Sequence, residues 1–276
     1  MCMARAWFVA LALVTVPRLV AGSKESEVML EVKQDVRLRQ SPNSFVRLRR
    51  LKQLGFRPNG VFDIGANQGA WTRAILQVWP RAKVFMVEAN PKQEVNLRNV
   101  GQPYAITLLG DSTRNTTLWL SPNEVTKKDG STGNSIFRET SGLGKFEPVV
   151  RTMTTLDALA LERGMTGFDM LKIDVQGAEK LILAGASTVL RSVQVVMLEL
   201  GVVQYNAGAP MWLEVHLELD RLGFLAYDVL ELHYDHRSQA LIQIDVLFVR
   251  KDSPLTKKRA TGYPPPKLPT FACSQS

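Results

Sequence analysis

The feature that most constrains this chain is a strand, a glycine turn and a helix in direct succession. Val61-Phe62-Asp63-Ile64 is an apolar run, Gly65-Ala66-Asn67-Gln68-Gly69 a turn, and Ala70-Trp71-Thr72-Arg73-Ala74-Ile75-Leu76 a segment of helical apolar period. Some twenty residues on, a second apolar run, Val84-Phe85-Met86-Val87, ends in Glu88. This is the layout of a nucleotide-type site at the carboxyl edge of a parallel sheet. Gly65 and Gly69 allow a tight turn and a close backbone approach that a Cβ obstructs. The pattern, Asp-x-Gly-x-x-x-Gly, lacks the third glycine of a dinucleotide fingerprint. It suits a ligand without pyrophosphate, such as S-adenosylmethionine, with Glu88 accepting from two ribose hydroxyls.

The charge balance bears on possible partners. The chain has 276 residues and a net charge of +8. Lys33 to Arg57 carries eight basic residues and one acid, and Lys251 to the end carries five and one. Between Pro58 and Arg250 there are 18 basic and 21 acidic residues, a net of −3. The basicity belongs to the flanks, and no aromatic residues interleave with it as base stacking requires, so nucleic acid is not expected as a partner. With 45% hydrophobic residues, the chain can bury one sizeable core.

Residues 1–22 contain no acid, carry Arg5 before an apolar run from Trp7 to Val16, and end in Val20-Ala21-Gly22. The run is too short, and too soon interrupted by Pro17 and Arg18, for a bilayer span, and it reads as a cleaved secretory signal. An organellar transit peptide is the rival. Cys2 and Cys273 lie outside the core, so no internal disulfide is expected. Asn115-Thr116-Thr117 is a glycosylation acceptor on a secretory route.

Residues 23–57 form a basic helical lead-in, with Val46, Leu48, Leu51 and Leu54 at near-helical spacing and Gly55 as the stop. The expected order through 58–250 starts with strand Val61–Ala66, helix Trp71–Val78, strand Lys83–Glu88, helix Pro91–Val100 and strand Tyr104–Leu109. After a polar insertion between Thr116 and Arg151 come strand Phe168–Val175, helix Ala178–Leu190 and strand Val193–Leu200. A helix over 211–222 and an edge pair, Phe224–Leu232 and Ala240–Val249, complete it. This predicts a doubly wound, seven-stranded α/β sheet. Residues 251–276, with Lys257-Lys258-Arg259 and Pro264-Pro265-Pro266, read as a disordered basic, proline-rich tail.

Three stretches together resemble the FkbM family of S-adenosylmethionine-dependent O-methyltransferases. They are Leu54-Gly55-Phe56-Arg57-Pro58 running into Asp63–Gly69; Leu171-Lys172-Ile173-Asp174-Val175-Gln176-Gly177-Ala178-Glu179 with Leu183-Ala184-Gly185-Ala186; and Val196-Met197-Leu198-Glu199-Leu200 through Tyr205-Asn206-Ala207-Gly208-Ala209-Pro210. The resemblance implies a Rossmann-like class I methyltransferase sheet with its last strand antiparallel. It also implies cofactor contacts from Asp63, Gly65, Asn67, Gly69 and Glu88, and from Asp111 and Ser112 near the adenine. The acceptor it implies is a hydroxyl of a sugar, glycan or small metabolite.

Methyl transfer from a sulfonium needs acceptor oxygen, methyl carbon and sulfur in line, and a group to take the hydroxyl proton. Asp174, Glu199 and His216 are the candidates, and Asp174 doubles as a helix cap. His233 and His236 have metal-compatible spacing, but on an edge strand and turn they read as solvent-exposed, and no metal is assigned. A dehydrogenase lacks support without its third glycine. A non-catalytic relative is disfavoured by intact Asp63, Gly65, Gly69, Glu88 and Asp174.

Overall fold

The computed structural model describes residues 44–121, 133–140, 142, 145–235 and 238–257. The expected signal at 1–22, the lead-in before Ser44, His236 and the tail beyond Lys257 lie outside the described residues.

Strands β1 (Gly60–Ile64), β2 (Lys83–Glu88) and β3 (Tyr104–Ile106) alternate with helices α1 (Ser44–Gln53), α2 (Ala70–Val78) and α3 (Glu94–Val100). Strands β4 (Leu108–Gly110), β5 (Arg114–Leu120) and β6 (Glu147–Thr155) follow, then α4 (Leu156–Glu162), β7 (Met170–Ile173), α5 (Glu179–Ala184) and β8 (Val195–Gly201). The chain continues through α6 (Trp212–Arg221), β9 (Phe224–Tyr234), β10 (Leu241–Arg250) and α7 (Pro254–Lys257).

Seven strands form one sheet in the order β3-β2-β1-β7-β8-β10-β9. The pairs β1/β2, β2/β3, β1/β7 and β7/β8 are parallel, whereas β10 runs antiparallel to both β8 and β9. This is the expected doubly wound α/β class I sheet with an antiparallel last strand. The topology reverses between β1 and β7, where an open sheet leaves a crevice at its carboxyl edge.

Both faces are covered, as a parallel sheet requires. Phe62, Leu171, Val196, Leu198 and Phe248 pack against Leu156, Leu159, Ile182, Val215 and Leu219 of α4, α5 and α6. Val61, Met86, Met170, Met197 and Val249 pack against Leu48, Leu51, Ile75 and Leu97 of α1, α2 and α3. No described helix is long and apolar enough to cross a membrane.

Three expectations need correction. The strand expected over Tyr104–Leu109 breaks at Thr107: β3 pairs with β2, but β4 pairs with β6 in a second, three-stranded sheet. The helix expected over Ala178–Leu190 stops at Ala184 with Gly185 as its C-cap, and Gly185 packs so closely on the next layer that a Cβ there meets the Gly110 carbonyl oxygen at 2.0 Å. The tail expected from Lys251 stays packed through α7, with Ser253 just before the helix and Leu255 within it both buried.

Candidate active site

A cavity of about 330 Å³ opens at the topological switch point. Its floor is the carboxyl ends of β1, β2, β7 and β8, and its cover includes Gly133 to Ile136 from the insertion between β5 and β6. Among the residues singled out by sequence, it gathers Gly65, Asn67, Glu88, Asp174 and Glu199.

Glu88 closes β2 and is buried. Its Oε2 accepts from the Asn67 N–H and its Oε1 from the Asn90 N–H, both at 2.8 Å. Burial raises its pKa, and these amides oppose that rise. Each oxygen retains acceptor capacity beyond its backbone bond. Asn67 takes a left-handed backbone (φ 48°), and its buried Oδ1 has no hydrogen-bond partner in the protein. Buried polar atoms are almost always satisfied, so this carbonyl, beside Glu88 on a cavity wall, fits a ligand carrying hydroxyl or ammonium donors.

Gly65 (φ +74°) is needed for a reason internal to the protein. A Cβ there would stand 1.8 Å from the Asp174 carbonyl oxygen, so the turn after β1 is pressed against the end of β7. Gly69 lies outside the cavity lining, and a Cβ on it would meet Val100 Cγ2 at 2.4 Å.

Asp63 also lies outside the lining. It is fully buried at the middle of the sheet, where it takes a hydrogen bond from Thr72 Oγ1 at 2.6 Å and faces Lys172 Nζ at 3.3 Å. Lys172 reaches the other way to Asp174 Oδ2, again at 3.3 Å, and donates to the Gly65 carbonyl at 3.2 Å. Burial alone would lower the ammonium's pKa, but Asp174 and Asp63 together hold it above its usual value. The register sets this up, since Asp63 and Lys172 are directly paired across β1 and β7. Lys172 was missed from the sequence. The signal was a lysine inside the apolar run Met170-Leu171-Lys172-Ile173, since a buried lysine requires a partner.

Asp174 follows β7 at the cavity edge, its side chain 35% exposed. The backbone then passes through two left-handed residues, Gln176 (φ 60°) and Gly177 (φ 112°). Glu179 Oε1 fastens this turn by accepting from the Val175 and Gly177 N–H groups at 3.2 and 3.1 Å. Burial pushes the Glu179 carboxyl up to about 7.

Glu199 lies deeper, on β8. Gln176 Nε2 and Gln243 Nε2 both donate to its Oε1, and the Tyr205 hydroxyl donates to Gln176 Oε1 at 2.9 Å. Burial, then the charges of Asp174 and Asp245, raise the Glu199 pKa well above normal. Burial and the nearby Glu199 likewise raise the Tyr205 pKa. Gln176 and Tyr205 fall within the second and third family-like stretches and Gln243 in none, and the three meet only in the folded chain.

Besides Asp63 and Gly69, three further candidates lie outside the cavity lining. His216, on α6, has its ring 5.6 Å from that of Phe248 and 6.3 Å from that of Trp212, on the face of the sheet that α6 covers, and does not line the cavity. Asp111 and Ser112 do not line it either. Arg114 donates to both, and this holds the Asp111 carboxyl below its usual value. Because the chain changes sheets at Thr107, the wall there is Thr107-Leu108-Leu109. His233, read as exposed, is turned onto the sheet. Its Nε2 is 3.1 Å from Asp245 Oδ1 and 3.7 Å from Glu199 Oε2, and the hydrogen bond to Asp245 raises its pKa.

The chain is similar to the 2-O-methyltransferase NoeI of Sinorhizobium fredii (strain NBRC 101917 / NGR234), 27% identical over 150 residues, or 50% of this chain and 62% of NoeI. It thus spans under two thirds of that relative's length. Similar solved structures include the 1,6-didemethyltoxoflavin-N1-methyltransferase of Burkholderia thailandensis (13% identity, 86% and 94% of the two chains, TM-score 0.40). Another is TrmK of M. capricolum (12% identity, 74% and 67%, TM-score 0.41). Likeness at that level carries no weight for fold or function. The methyltransferase FkbM domain matches residues 63–226, more than half of the chain and inclusive of the glycine turn, Glu88, Asp174 and Glu199, and the chain belongs to that family.

Proposed function

We propose that this chain is an S-adenosylmethionine-dependent O-methyltransferase acting on a hydroxyl of a sugar, glycan or small metabolite. The observation that carries the reading is the pairing of Glu88 with the unpartnered Asn67 Oδ1 on the wall of a cavity that Asp174 and Glu199 also line. Glu88 has the acceptor capacity for two ribose hydroxyls, and Asn67 Oδ1 can accept from an ammonium or hydroxyl. When bound, the cofactor supplies an electrophilic methyl group on sulfur. The chain's own part is to hold acceptor and donor in line, exclude water and take the hydroxyl proton. Asp174 is assigned the last role. It is the more open of the two carboxyls, and Lys172 fixes its Oδ2 from behind.

NoeI, a 2-O-methyltransferase, supports a hydroxyl acceptor. The test is calorimetry with S-adenosylhomocysteine on the unaltered chain and on Glu88→Gln, followed by a labelled-methyl screen against glycans, lipids and hydroxylated metabolites. Binding should weaken tenfold or more in the variant, equivalent to at least about 1.4 kcal/mol. An unaltered chain that does not bind, or a variant that binds equally well, overturns the proposal.

Part of the same reading is a secretory or organellar destination through a cleaved amino terminus. It rests on the acid-free, apolar character of residues 1–22. Mass spectrometry of the mature protein tests it, and an intact Met1 defeats it.

A further inference from the structure

On the face of the sheet that packs against α1, three carboxylates stand in a row on neighbouring strands. Glu199 of β8 is the register partner of Asp245 on β10, and Asp245 is the partner of Glu231 on β9. Like charges placed directly opposite one another are destabilising in an antiparallel pair. Glu231 has a local partner, since Ser44 Oγ donates to its Oε2 at 2.8 Å. Lys172, the nearest ammonium, is already shared by Asp63 and Asp174. What faces Glu199 and Asp245 is the imidazole of His233, one ladder step along β9.

The donor atoms have the spacing of a coordination shell. Nε2 of His233, a carboxylate oxygen of Asp245 and one of Glu199 lie within 4.8 Å of one another. The two measured edges are 3.1 and 3.7 Å. Two ligand atoms each about 2.1 Å from a metal stand about 3.0 Å apart at an octahedral angle and about 3.4 Å apart at a tetrahedral one. Small side-chain shifts close the difference. The ligands are also held in place. The other oxygen of Glu199 is fixed by the amides of Gln176 and Gln243, so Oε2 is the one left toward His233. The His233 side chain is 32% exposed, which leaves an entry path and room for coordinated water.

From this geometry we infer a divalent-metal site formed by Glu199, His233 and Asp245. One imidazole and two carboxylates suit a first-row transition ion such as Mn²⁺ or Zn²⁺ better than Mg²⁺ or Ca²⁺, which prefer all-oxygen shells. The ion offsets the facing carboxylates of Glu199 and Asp245 and takes the place of the proton between His233 and Asp245. Because Glu199 also lines the cavity, the site adjoins the pocket through that side chain. The inference does not depend on the proposed methyl transfer, since metal binding is measured without cofactor or acceptor.

The experiment is titration of the full, chelator-stripped chain with Mn²⁺, following loss of the free-ion electron paramagnetic resonance signal. Pulsed measurement of nitrogen coupling to the bound ion accompanies it. One saturable equivalent is expected, displaced by Zn²⁺. It should show a directly coupled imidazole nitrogen and bind more weakly from pH 8 to pH 6 as the imidazole gains a proton. His233→Gln and Asp245→Asn should each weaken binding at least about tenfold, with circular dichroism and melting temperature showing that the fold persists. If a variant fails to fold, the nitrogen coupling in the unaltered chain decides the matter. No saturable binding, bound Mn²⁺ without nitrogen coupling, or unchanged affinity in a folded His233→Gln variant overturns the inference.

Discussion

Gly65 and Gly101 have the same left-handed backbone, φ +74°, but different surroundings. A Cβ on Gly65 meets the Asp174 carbonyl oxygen at 1.8 Å, whereas one on Gly101 meets nothing within 4 Å. Gly101→Ala should therefore cost only the conformational penalty, about 1–2 kcal/mol. Gly65→Ala should cost clearly more and weaken S-adenosylhomocysteine binding as well, because the end of β7 must move. Urea unfolding of the two variants separates the steric part from the backbone part. Asp174→Asn keeps the shape of the side chain but cannot take a proton. Turnover should fall about a hundredfold to ten-thousandfold while cofactor-product affinity changes little, a split that single-turnover kinetics and calorimetry resolve. A parallel loss of both would make Asp174 a cofactor ligand instead.

Glu179 gives a pH signature. Its carboxyl is pushed up from 4.5 to about 7 by burial. A raised folded-state value means that the native form favours the proton. The group's contribution is therefore intact below about pH 4.5 and is lost as pH rises through about 7. Glu179→Gln lacks this loss, so its stability relative to the unaltered chain should improve between pH 5 and pH 8 by up to about 3 kcal/mol. Urea unfolding at the two pH values reads the difference, and a pH-independent gap would show that Glu179 stays ionised.

At the scale of elements, β4 is held between two layers by contacts with no slack. A Cβ on Gly110 would meet Met153 Sδ at 2.1 Å, and one on Gly185 would meet the Gly110 carbonyl oxygen at 2.0 Å. Gly185→Ala must therefore push α5 and β4 apart, and β4 carries Leu108 and Leu109 of the cavity wall. Cofactor-product binding should drop about tenfold or more although Gly185 does not line the cavity. Normal affinity in that variant would show that β4 is not part of the binding wall.

These same elements show what the sequence could and could not tell. The bounds of β2 were legible to the residue, because an apolar run opened by Lys83 and closed by Glu88, with Asn90-Pro91 two residues on, has one sensible extent. The break at Thr107 was not. Thr107 is the one polar residue between Tyr104 and Leu109, and threonine is a good strand former, so only the partners, β2 for one half and β6 for the other, reveal two strands. His216 was misplaced for a related reason. Periodicity put it correctly on a helix but did not say which face of the sheet that helix covers.

For the molecule as a whole, the order of strands explains why one edge collects the chemistry. The turn after β1, Glu88 at the end of β2, Asp174 after β7 and Glu199 on β8 are far apart in sequence, yet the switch between β1 and β7 brings them around one crevice. That much followed from alternating strands and helices. The cluster around Glu199 did not, because Gln243 and His233 reach it only through the antiparallel β8/β10/β9 pairing. A reversed last strand inserted between two others leaves no periodic trace.

The carbonyl oxygen of Gln176 accepts from both Ser135 Oγ, at 2.7 Å, and Asn206 Nδ2, at 2.9 Å. The first donor belongs to the cover of the cavity and the second to the loop after β8. Those two segments also pair directly, with the Thr140 N–H donating to the Tyr205 carbonyl and the Ala207 N–H to that of Arg138, both at 2.8 Å. On the far side of the cover, Trp119 and Ser135 exchange a reciprocal pair of backbone bonds. Lifting either segment breaks both of the backbone bonds that pair them, so they should open as one cooperative unit. In hydrogen–deuterium exchange, the amides of Trp119, Ser135, Thr140 and Ala207 should then share a single opening free energy. Asn206→Ala should speed exchange at Trp119 and Ser135 as much as at Thr140 and Ala207, and acceleration confined to the last two would show two separate flaps.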